Sequence, residues 1–147
     1  MMPIAHYAHT CIDMPTPAPA PISSYHAHIY FDAATRSIAE HIRTQIAEQF
    51  SVRLGRWHDV PVGPHPQAMY QVAFLPQVFP ALVPWLMLHR GGLNVLLHPN
   101  TGAPRADHLV HAAWLGAALP LKGDVLPETE DVAAMETEPN TFPHAPG

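Results

Sequence analysis

Between Ser24 and Phe31 the chain alternates strictly. Tyr25, Ala27, Ile29 and Phe31 fall on one side of an extended strand, and His26, His28 and Tyr30 fall on the other. Asp32 has the chemistry of a helix N-cap. From there to about Phe50 the apolar residues Ile38, Ile42, Ile46 and Phe50 recur every fourth position, the stripe of an amphipathic helix. Val52 to Val60 and Ala68 to Leu75 read as two further strands, joined by the tight connection Pro61-Val62-Gly63-Pro64-His65-Pro66. Pro76 opens a second helix that Gly91 and Gly92 end. Pro80 and Pro84 each remove a backbone donor inside it and argue against a regular helix. Leu93 to Leu97 is a fourth strand, closed by His98 and Pro99, and the segment from Asp107 to Leu115 fits a short helix or a fifth strand equally well.

The order strand, helix, strand, strand, helix, strand is that of an α+β, ferredoxin-like β-α-β-β-α-β domain, with two helices on one face of an antiparallel sheet. The apolar side of the first strand then packs under the helices and leaves His26, His28 and Tyr30 on the open face. An open face with apolar content seeks a partner, so a homodimer with the site near a cavity between two sheets is expected. Residues 1–22 and 124–147 hold nine of the eighteen prolines and few large apolar residues. Both read as poorly ordered tails around a single domain over 23–123.

Charge narrows the function. The net −5 is concentrated at one end, because Asp124, Glu128, Glu130, Asp131, Glu136 and Glu138 lie in the last 24 residues. Residues 23–123 carry five acids against seven basic residues, about +2. That is too sparse for a nucleic-acid surface and suits a small anionic substrate. No apolar run approaches the roughly 20 residues of a bilayer crossing, so no membrane partner is expected. Pro15, Pro17, Pro19 and Pro21 interrupt any secretory signal, and a cytoplasmic location follows by default. Cys11 is the single cysteine, which excludes an intrachain disulfide and a cysteine-based zinc cage.

Twelve histidines in 147 residues are the chemical signature of the chain. His26 and His28 sit two residues apart on one strand face, so both rings can lean toward one ion. His65 is stiffened by a proline on either side, which lowers the entropic cost of holding a ligand geometry. His98 ends the fourth strand, which lies beside the first in this topology, and His108 and His111 follow after a short loop. Six imidazoles thus gather on a sheet and its rim, a donor set suited to Fe(II), Zn(II), Cu(II) or Ni(II). His41 and His89 belong to helices, His58 stands near the His65 turn with a supporting role left open, and His6, His9 and His144 lie in the tails.

The segments Tyr25-His26-Ala27-His28-Ile29-Tyr30-Phe31, Gly55-Arg56-Trp57-His58, Pro61 to Pro66, Pro84-Trp85-Leu86-Met87-Leu88, His98-Pro99-Asn100-Thr101-Gly102, Asp107-His108 and Trp114-Leu115-Gly116, in this order, resemble the DOPA 4,5-dioxygenase family over residues 23–121. The resemblance implies a ferredoxin-like domain that cleaves a catechol ring in the extradiol manner with non-haem Fe(II) and O₂. With L-DOPA, cleavage between carbons 4 and 5 gives a seco-DOPA that cyclises to betalamic acid. The family's histidines carry over onto His26, His28, His65, His98, His108 and His111. Chemistry then suggests His28, His65 and His98 as the metal ligands, with His26 as a fourth ligand or base and His108 and His111 for proton transfer. Arg56 is expected to pair with a substrate carboxylate, and Tyr30 to touch substrate. Many ring-cleaving iron enzymes use two histidines and a carboxylate. Asp107 as a ligand therefore stands beside an all-histidine site. A different metal enzyme on the same scaffold, or a protein that sequesters metal without catalysis, are the competing readings.

Overall fold

A computed structural model of the chain describes residues 22–130. Strand β1 (Ser24–Tyr30) is followed by helix α1 (Arg36–Gln49), strand β2 (Arg53–Leu54), strand β3 (Met69–Phe74), helix α2 (Phe79–His89) and strand β4 (Val95–Asn100). A short helix α3 (Pro104–Leu109) and a strand β5 (Ala113–Leu115) complete it, so the ambiguous 107–115 segment supplies both elements. The sheet runs β2-β3-β1-β4-β5 with every pair antiparallel, which is the ferredoxin-like order extended by one strand. No described helix is long and apolar enough to cross a membrane.

The alternation of β1 has the predicted sides. Ala27, Ile29 and Phe31 pack with Tyr70, Val72 and Phe74 of β3 and with Val95 and Leu97 of β4 beneath the helices. From α1 the buried residues are Ala39, Ile42 and Ile46; Ile38 is pushed to the rim, because the helix begins four residues later than the expected cap. Asp32 does not cap it. Its carboxylate accepts from the amides of Ala34 and Thr35 and from the Thr35 hydroxyl, closing a turn ahead of Arg36. In α2, Pro80 lies in the first turn where no donor is needed, and Pro84 is on the solvent side while Leu82, Val83 and Leu86 face the sheet.

Two strands differ from expectation. β2 pairs for only two residues; Gly55 still donates to Gln71 O at 2.7 Å, and the ladder then resumes at His58 opposite Met69. Three steps on one strand against two on its partner make a bulge, and Arg56 sits in it. β4 continues through His98 and Pro99 to Asn100. Proline is tolerated there because β5 pairs only as far as Leu97, so no neighbour on that side asks Pro99 for a donor.

The second sheet face is not open. Tyr30, Met69 and Leu96 are covered by Ala112, Trp114, Leu119 and Leu121 from the same chain. The Lys122 amide donates to Pro64 O at 2.9 Å, joining this covering segment to the proline-rich connection. Residues 124–130, assigned by composition to the acidic tail, are held against α3: Arg105 donates to Leu126 O and pairs with Glu128, and the Glu130 amide donates to Gly102 O. The rest of the two expected tails lies outside the described residues.

Candidate metal centre

The register of the sheet assembles the site. His26 of β1 stands opposite His98 of β4, and His28 is one pleat further along the same face. The connection from Pro61 to Pro66 brings His65 over His28, with ring centroids 4.2 Å apart, and α3 brings His108 over His98 at 3.9 Å. All four of His26, His28, His65 and His98 are buried, and His108 is half-buried. Ligand nitrogens fall into two groups that share His28: His26 with His28 and His98, and His28 with His65 and His108. Within each group they lie within 4.8 Å of one another.

The second nitrogen of each ring fixes what the first offers. His98 Nδ1–H donates to Pro99 O at 2.9 Å, and His108 Nδ1–H donates to Pro104 O at 2.7 Å. Each of these rings therefore presents an Nε2 lone pair to the cluster. His28 and His98 meet Nε2 to Nε2 at 3.0 Å, so His28 supplies the proton of that contact and keeps its own lone pair on Nδ1. That Nδ1 and His26 Nε2 are buried without a hydrogen-bond partner. Orphaned buried nitrogens are costly, and a cation accepting their lone pairs would relieve the cost. The donor set thus fits a divalent transition metal.

Electrostatics agree. Burial first, and neighbouring imidazoles second, push His26 down to about 3 and His65 down to about 4. Burial likewise pushes His28 and His98 well below the usual histidine range, and lowers His108. All five are neutral at physiological pH, the state a metal ligand requires.

Tyr30 OH contacts His65 Nδ1 at 2.6 Å, and its ring stacks on Trp114. Tyr30 thus supports His65 in the structure. Both oxygens of Asp107 are taken by Thr101, at 2.9 Å from its amide and 2.6 Å from its hydroxyl, and it belongs to neither group. The carboxylate orders the turn before α3. His111 is exposed and belongs to neither group; it lines a cavity of about 210 Å³ together with His98, Tyr25, Phe79 and Pro99. His41 and His89 are exposed on their helices, and His58 lies near enough to His65 to disfavour its charge. Arg56 is exposed on the β2 bulge.

Two residues were not singled out by the sequence. Asn100 is buried with Nδ2 on Ser24 Oγ and its Oδ1 unpartnered, in the strand position next to His98 on the same face. Arg53 lies opposite Ala73, in the row of His26 and His98. Strand alternation was the signal for both, but it required knowing the register.

Residues 25–125 match the model of the Dopa 4,5-dioxygenase family. The chain belongs to that family. A DOPA 4,5-dioxygenase from Amanita muscaria is 31% identical over 133 residues, covering 84% of this chain and 58% of the fungal protein. An uncharacterised 21.2 kDa protein from Botryotinia fuckeliana is 40% identical over 94 residues, covering 58% of this chain and 50% of that one. The chain therefore spans between half and three fifths of these curated relatives. The crystal structure of a candidate dioxygenase from Nostoc punctiforme superposes with a TM-score of 0.70 at 55% identity, covering 71% of this chain and 90% of that one.

Proposed function

We propose that the chain is an extradiol dioxygenase that opens the ring of a catechol such as L-DOPA between carbons 4 and 5, with one non-haem Fe(II) and O₂, releasing a seco-DOPA that cyclises to betalamic acid. The observation that carries this reading is the buried group of neutral imidazoles sharing His28, in a chain of this family. His26, His28 and His98 would hold the ion, since they form one group from adjacent strands of the rigid sheet. Bound there, iron supplies Lewis-acid and one-electron chemistry that couples an electron-rich ring to O₂.

The remaining two histidines suit work on the substrate. His108 presents an Nε2 lone pair and would take a proton from a catechol hydroxyl. Tyr30 is buried with its hydroxyl on His65 Nδ1; donating there, it would leave the His65 proton on Nε2. Neutral His65 would then hold that N–H as a hydrogen-bond donor toward the oxygen that gains charge as the ring opens. This arrangement favours His65 as a hydrogen-bond donor over the ligand role expected from the sequence. His26, His28, His65 and His98 are buried in the fold, which keeps bulk water from them.

The test loads the purified chain with Fe(II) without air, then adds L-DOPA and oxygen while recording oxygen uptake and the visible spectrum. The expected outcome is one O₂ consumed per L-DOPA and a yellow product, both absent in His28→Ala. Bound iron with no uptake on L-DOPA or simpler catechols would sink the reading and leave a metal-sequestering protein or another metal chemistry.

A further inference from the structure

The clustered histidines hold more donors than one ion needs. Their nitrogens form two groups, His26 with His28 and His98, and His28 with His65 and His108, and only His28 belongs to both. The first group stands on the adjacent strands β1 and β4. The second is drawn from three places: His28 on β1, His65 on the 61–66 connection and His108 on α3. Each group has lone pairs to give. His26 Nε2 and His28 Nδ1 are buried without a hydrogen-bond partner. The Nδ1–H bonds to Pro99 O and Pro104 O keep the lone pairs of His98 and His108 on Nε2. The Tyr30 hydroxyl can complete the second group by reversing its hydrogen bond. When it accepts from His65 Nδ1–H instead of donating, the His65 lone pair moves to Nε2.

Lone pairs and charge both exclude two ions at once. A neutral imidazole has one ring lone pair, so His28 serves one ion at a time. Neither group contains a carboxylate, and both oxygens of the neighbouring Asp107 are taken by Thr101. Two dications brought together around one buried ring would repel each other with no negative charge to offset them.

We propose that the cluster offers one divalent transition-metal ion two mutually exclusive seats that pivot on His28: a strand seat of His26, His28 and His98, and a second seat of His28, His65 and His108. The strand seat is the tighter one. Its ligands stand on adjacent strands of one sheet, whereas the second seat must hold a connection and a short helix in place. A seat disfavoured by about tenfold still holds on the order of a tenth of the ions. An ion there occupies both side chains that would work on the substrate, so that form of the protein is silent. This last consequence rests on the ring-cleavage reading; the two seats do not.

The experiment titrates the metal-free full chain with Co(II) alone, whose visible bands report its ligand set, and follows binding by calorimetry and absorption. The wild type is expected to bind a single ion. His65→Ala should keep the affinity within about threefold, because the strand seat is intact. His26→Ala should still bind one ion, about tenfold more weakly and with shifted bands, in the second seat. His98→Ala removes a different ligand of the strand seat and should match it. Combining His26→Ala with His65→Ala empties both seats and should weaken binding by about a hundredfold or more, beyond the loss of a mere supporting residue. Two ions in the wild type would overturn the proposal. So would His26→Ala or His98→Ala binding as weakly as the double variant, the pattern of one site. Oxygen uptake by the iron-loaded chain is scored separately. Two seats without uptake sink the ring-cleavage reading alone, and uptake with a one-site pattern sinks the seats alone.

Discussion

The Tyr30 hydroxyl lies 2.6 Å from His65 Nδ1; acting as donor, it would keep that ring's proton on Nε2 and so set the role the ring can play. Tyr30→Phe keeps the stack on Trp114 and the packing around Met69 and Leu96 but removes the donor. His65 can then exchange tautomers. The expected result is a fall in turnover of about tenfold, the scale of one lost hydrogen bond, with iron content unchanged by elemental analysis. Iron lost in parallel with rate would instead make His65 a ligand. The residue scale also shows where sequence spacing misleads. His108 and His111, three apart, would share a helix face, but α3 ends at Leu109 and His111 turns away to the surface. Asp107 has the right chemistry for a ligand, and only the Thr101 contacts reveal that its oxygens are occupied.

At the level of elements, the helix-to-strand turn after α2 is held by close approach. Gly91 has φ of 64°, and a Cβ there would meet the Ile38 side chain of α1 at 2.6 Å. Gly91→Ala should therefore cost about 1–3 kcal/mol, combining a left-handed backbone with a clash between the two helices. Chemical denaturation with unchanged slope would register it; a loss of only about 1 kcal/mol, that of the left-handed backbone alone, would mean that Ile38, at the rim, moves aside, and an unchanged midpoint would contradict both contributions. Elements with a clean period were legible before any coordinates: the alternation of β1, the stripe of α1, the apolar run of β3. What escaped was set by partners distant in sequence. The bulge at Arg56 leaves no mark on an apolar pattern, and Pro99 reads as a strand end unless the short reach of β5 is known. Leu119 and Leu121 show no run long enough to announce that they cover Tyr30, Met69 and Leu96 on the histidine-bearing face.

The whole molecule should respond to acid through its centre. Unfolded, each histidine titrates near 6.5. Folded and metal-free, burial holds His26 at about 3 and His65 at about 4, with His28 and His98 also depressed. Above about pH 6.5 neither state binds these protons, and stability is indifferent to pH. Below it the unfolded chain takes up protons that the folded chain refuses. Stability therefore falls from about pH 6.5 toward 4, by up to about 1.4 kcal/mol per pH unit for each histidine kept neutral. Thermal melts of the metal-free protein between pH 7.5 and 4.5 should show the decline, and His26→Asn should make it shallower. A flat profile would mean that water reaches the rings and solvates their charge.

The central place of β1 has a consequence for how the chain comes into being. This strand appears first among the described elements, yet it pairs with β3 on one side and β4 on the other, and His26 waits for a partner 72 positions later in His98. A contact of that separation forms only after a long loop has been closed, so it comes late in folding. On the ribosome, His26 and His28 emerge early on a strand with no neighbours, and His108 must follow before both nitrogen groups exist. A growing chain therefore has no complete group of donors to offer an ion until β4 has been made, and no second group until α3 follows. Metal acquisition then waits at least for β4, and any truncation ahead of α3 forfeits the second group.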